Sequence, residues 1–73
     1  MDTKITLRAA RVNAGKTQKA VADEIGVSNT TIVKWEKGSV IPRADALRRL
    51  CALYGVPETL IFLPGESAKS ELH

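Results

Sequence analysis

A chain of 73 residues makes one domain, near the lower size limit for folding on a single hydrophobic core. Its lone cysteine, Cys51, excludes a disulfide framework and suits a reducing compartment, and one cysteine with His73 cannot assemble a metal ligand set. The charge is uneven: residues 1–54 hold ten Lys/Arg against five Asp/Glu, residues 55–73 one against three.

A basic body of this kind suits a polyanionic partner, although solvated surface lysines would give the same balance. No apolar run approaches the roughly 20 residues that a membrane span requires. "MDTKITLRAAR" has no signal-peptide core, so the expected location is the cytoplasm. No cofactor is expected, and nothing resembling a nucleophile–base pair or a metal constellation points to an enzyme.

In chain order, Leu7, Ala10 and Arg11 mark a first helix over about residues 4–13. Gly15 ends it. Thr17 offers a hydroxyl cap to a second helix with the inner stripe Val21, Ala22 and Ile25, closed by Gly26. Val27 follows as an apolar plug, and Ser28 caps a third helix that buries Ile32 and Trp35. After "GSVIPR", a fourth helix near residues 43–54 carries Leu47, Leu50, Cys51 and Tyr54 at i, i+3, i+4 and i+7. Cys51 is then a small core residue rather than a nucleophile.

Pro57 is expected to open a short fifth helix, "PETLIFL", which Pro64 and Gly65 stop. No segment shows the period-two alternation that strands need. The expected organisation is therefore all-α, with five helices in a domain over residues 1–63 and a flexible, mildly acidic tail over residues 64–73.

Only "GVS" separates the second and third helices, which forces a sharp, fixed crossing and presents the third as a protruding rod. Its polar edge, "SNTTIVK", has no use in the core. A B-DNA major groove, about 12 Å wide, admits one α-helix. Asn pairs with adenine N6 and N7, Lys donates to guanine O6 and N7, and a Thr methyl meets the thymine methyl. Asn29 and Thr30 also suit an ordinary helix start, and Lys34 an ordinary solvated face. Trp35 shares a stripe with Ile32, which favours the core over a base-stacking platform.

"TQKAVADEIGVSNTTIVKWEKGSVIP" resembles the helix-turn-helix of the Cro and lambda-type phage repressors, the XRE-like regulators. The matching positions are Thr17-Gln18, Val21-Ala22, Ile25-Gly26-Val27-Ser28, Ile32, Glu36 with Gly38, and Pro42. The resemblance continues through "LRRLCALYGV" and covers about residues 5–62. It implies a lambda-repressor-like fold whose helix-turn-helix is formed by helices two and three. It also implies that Gln18 grips a phosphate, that Ser28, Asn29 and Thr30 open the recognition helix, and that Lys34 reads bases. Lys37 and Arg43 match positions near the DNA backbone, while Arg11 and Glu36 match a pair tying the first helix to the third. The DNA-binding set is thus Gln18, Lys19, Ser28, Asn29, Thr30, Thr31, Lys34, Lys37 and Arg43. Two departures stand out: Lys16 replaces a usual apolar residue at the first corner, and the recognition helix lacks the glutamines common in phage repressors.

The expected function is a sequence-specific transcriptional regulator, a small phage- or plasmid-type repressor or an antitoxin. It would bind double-stranded operator DNA as a homodimer on an inverted repeat, through residues 28–37. With 73 residues no separate oligomerisation or ligand-sensing domain is expected, so the segment around Leu60 to Leu63 would supply a dimer contact or close the core, or do both through different faces. The alternative is a protein-interaction module, with the tail ordering on a protein partner.

Overall fold

The computed structural model describes residues 4–63. The elements are β1 (Ile5–Thr6), α1 (Leu7–Asn13), α2 (Gln18–Ile25), α3 (Asn29–Lys37), α4 (Ala44–Tyr54), a 3-10 turn (Glu58–Leu60) and β2 (Ile61–Phe62). The expected tail, residues 64–73, lies outside the described residues.

Local chemistry explains the helix limits. The Thr6, Thr17 and Ser28 hydroxyls each accept from the backbone N–H three residues on, at 3.0, 3.1 and 3.1 Å, satisfying donors that a helix start leaves unpaired. Gly26 ends α2 in the left-handed region at φ 86°, and its N–H donates to the Ala22 carbonyl at 2.8 Å. A side chain there would meet no neighbouring atom within 4 Å, so the need for glycine is conformational rather than steric.

Each helix then contributes its apolar face. Leu7 and Ala10 from α1, Val21, Ala22 and Ile25 from α2, Ile32 and Trp35 from α3, and Leu50, Cys51 and Tyr54 from α4 are all buried in one core. Val27 packs against that core under the α2–α3 corner. Leu47, expected on the α4 stripe, is only partly buried at its edge. Burial pushes the Cys51 thiol up, which keeps it protonated and inert as a packing residue.

The five-helix expectation requires correction. Four α-helices form, and "PETLIFL" makes one 3-10 turn before straightening into β2. Pro57 is extended at ψ 150° and has no side-chain acceptor with which to cap a helix. β2 runs parallel to β1 in the register Ile5 with Ile61 and Thr6 with Phe62. This also corrects the start of the first helix, which Thr6 caps from an extended conformation, and the expectation of no strands. Ile61 and Leu63 are buried while Phe62 is half-exposed, the alternation of an extended segment rather than a helical stripe. This segment closes the core beside α1 and α4.

Burial, with the Glu36 carboxylate as a second cause, pushes the Tyr54 phenol up to about 12 from its ordinary value of 10. The folded state therefore holds this proton more tightly than the unfolded chain does. The resulting stabilisation is complete below pH 10 and is lost as pH rises toward 12. Urea unfolding at pH 9 and pH 11.5 is expected to show an extra loss of about 2 kcal/mol in the wild type over Tyr54→Phe. Equal losses in the two proteins would mean that other groups set the alkaline limit.

Candidate nucleic-acid interface

Nine residues of helix make α3 about 13 Å long, short enough to lie across one groove. Ile32 and Trp35 fix its inner side, at 1% and 8% exposure. Ser28, Asn29, Thr30, Lys34 and Lys37 are consequently turned outward and exposed. Thr30 and Lys34 are i, i+4 neighbours, and Lys34 and Lys37 are i, i+3 neighbours, so they form one continuous polar edge. Lys34 and Lys37 also sit in the last turn, where cations complement the helix dipole.

The hydroxyls at the head of α3 are less free than the asparagine beside them. Ser28 Oγ caps the Thr31 N–H and lies 2.9 Å from Thr31 Oγ1. Both residues therefore stiffen the helix start as well as bordering the exposed edge. Asn29 and Thr30 have no side-chain hydrogen bond among the described residues, leaving their polar atoms available.

Behind this edge is a network that joins three helices. Arg11 Nε donates to Glu36 Oε2 at 2.7 Å and Nη2 to Oε1 at 3.4 Å, linking α1 to α3. Arg11 Nη1 donates to the Lys16 carbonyl at 2.9 Å. Gln18 Nε2 donates to Glu36 Oε1 at 3.1 Å, bringing in the first residue of α2. The Arg11 and Glu36 side chains are 11% and 6% exposed. Hydrogen bonding to Glu36 raises the Arg11 pKa against the opposing effect of burial.

Gln18 and Lys37 line one cleft of about 400 Å³, together with Arg8, Arg11, Val33 and Glu36. Lys19, next to Gln18, instead faces solvent and pairs with Asp23 at 3.4 Å. Arg43 lies elsewhere, at the N-cap of α4, where it lines a second groove with Trp35, Val40, Ile41 and Arg49. Lys16 occupies the α1–α2 corner half-buried, with Nζ 3.9 Å from Glu24. Arg8 and Val33 were not among the expected site residues. The i, i+3 spacing of Arg8 and Arg11 was the only local signal for Arg8.

A helix-turn-helix family model matches residues 7–61. The chain is 37% identical over 51 residues to the cryptic phage CTXphi transcriptional repressor RstR of Vibrio cholerae, an overlap of 70% of this chain and 46% of that protein. It thus spans about half the length of that relative. No solved structure matches it significantly.

Proposed function

We propose, from the premise that the chain belongs to the Cro and lambda-type, XRE-like helix-turn-helix family, that it is a DNA-binding transcriptional regulator acting as a repressor on an inverted-repeat operator. One observation carries the reading: α3 is held by its buried side with a polar, basic edge exposed along its length. In this reading Asn29, Thr30 and Lys34 contact base edges. Gln18, Lys19, Ser28, Thr31, Lys37 and Arg43 hold the sugar-phosphate backbone and set register. The phage repressor similar to this chain supports the direction of regulation.

A domain of this size touches few base pairs, so two copies would place their recognition helices about 34 Å apart in successive major grooves. Leu60 and Phe62 are the half-exposed side chains of the 3-10 turn and β2, and they form the face of that segment open to a second copy. The body, residues 1–63, would carry DNA binding, and residues 64–73 would be the segment offered to a protein partner. The protein would act on DNA in the cytoplasm.

Selection from random duplex DNA at two salt concentrations tests this directly. One inverted repeat should be enriched, and affinity should fall steeply as salt rises. On that operator, Asn29→Ala and Lys34→Ala should each lose about 1–3 kcal/mol of discrimination at the base they read. Weak binding indifferent to sequence would remove the base-reading roles and turn the search to a protein partner.

A further inference from the structure

We infer that Arg8 is a ligand of the DNA backbone, and that the cleft between α1, the start of α2 and the end of α3 seats one phosphate; this rests on the DNA-binding reading above. The charge count points to an anion. Of the cleft residues Arg8, Arg11, Gln18, Val33, Glu36 and Lys37, the Arg11–Glu36 pair is internally neutral. Arg8 and Lys37 therefore leave the cleft doubly positive, and neither has an ion-pair partner among the described residues.

The hydrogen-bonding inventory points to an acceptor. Glu36 can only accept, so it fixes the nitrogen end of the Gln18 amide toward itself. The second N–H of that amide is left for another acceptor. Arg11 is committed elsewhere: each of its three nitrogens already donates inside the protein, Nε and Nη2 to Glu36 and Nη1 to the Lys16 carbonyl, and its charge is matched by Glu36. The cleft guanidinium whose donors and charge are both unengaged among the described residues is that of Arg8. A phosphodiester carries one negative charge and accepting oxygens without a donor, which matches two cations and a free amide N–H. The guanidinium fork can bind two of its oxygens at once. Because Gln18 and Lys37 sit on different helices, a phosphate held between them would fix the angle at which α3 enters the groove.

The test uses the full chain with the selected operator and with a mixed-sequence duplex, titrated by fluorescence anisotropy from 50 to 200 mM salt. Arg8→Gln is expected to weaken binding to both duplexes by a similar factor and to reduce the log–log salt slope by about 1 for each bound protomer. Arg8→Lys should keep the wild-type slope while binding less tightly, since it retains charge without the fork. Arg48→Gln makes the same charge change on exposed α4, outside the cleft, and should leave the slope unchanged. Arginine and glutamine have similar helix propensities, and thermal melts will establish that the variants fold.

If Arg8→Gln keeps the wild-type slope while the wild type binds steeply, the role of Arg8 is overturned and the DNA reading stands. Equal slope losses in Arg8→Gln and Arg48→Gln would overturn it in favour of general net charge. Saturable, Arg8-dependent binding of inorganic phosphate with an unchanged DNA slope would assign the cleft to a small anion and also overturn it. A wild type without salt-dependent DNA binding takes down both readings.

Discussion

Glu36→Ala is expected to destabilise the domain by about 1–3 kcal/mol, the cost of leaving the donors of a part-buried ion pair without their acceptor. Arg11 has little water to fall back on, at 11% side-chain exposure, and arginine cannot escape by deprotonating. The loss is large against the roughly 4–11 kcal/mol that holds a chain of this length together. It also frees Gln18, whose amide Glu36 holds at 3.1 Å. The joint replacement Arg11→Met with Glu36→Met is expected to recover most of the stability, because neither charge is then stranded. Urea unfolding followed by Trp35 fluorescence reads all of these variants. A single-variant cost below about 1 kcal/mol would mean that the pair behaves as a solvated surface bridge.

How much of this was visible beforehand depends on how far apart the participants lie in the chain. The Thr17 and Ser28 caps, the glycine stops and the α3 stripe of Ile32 and Trp35 are local, and each follows from residues within a turn or two. β1 and β2 are a different case. They are two residues each, too short to show alternation, and Ile5 meets Ile61 only after four helices have folded between them. The run "LIFL" reads as a helical end until that partner is known. The site divides in the same way. Asn29, Thr30 and Lys34 were legible because one helix places them on one edge. The Gln18–Glu36 bond and the meeting of Arg8 with Lys37 in one cleft join three helices, and no spacing in the sequence encodes them. The Arg11–Glu36 pair was expected only from the family resemblance, and the structure supplies its geometry.

Trp35→Ala is expected to cost about 3–5 kcal/mol, for burial lost and for the cavity left behind. The indole is 8% exposed and packs in the core with Ile32 from the preceding turn of α3. It therefore anchors the half of the recognition helix that carries Lys34 and Lys37. Losing it weakens the attachment of that half to the common core, so affinity for DNA should fall along with stability. Because Trp35 is the sole tryptophan, circular dichroism must follow the unfolding of this variant. Trp35→Phe, which keeps an aromatic ring in the same place, should retain more of both properties. The two readings of this residue predict opposite patterns. A core anchor lowers the melting temperature by several degrees for each kcal/mol lost, on the scale of about 4–8 °C in a domain of this size. A base-stacking platform would leave the melt near that of the wild type and remove only DNA affinity. The burial of the indole places the expectation with the first pattern.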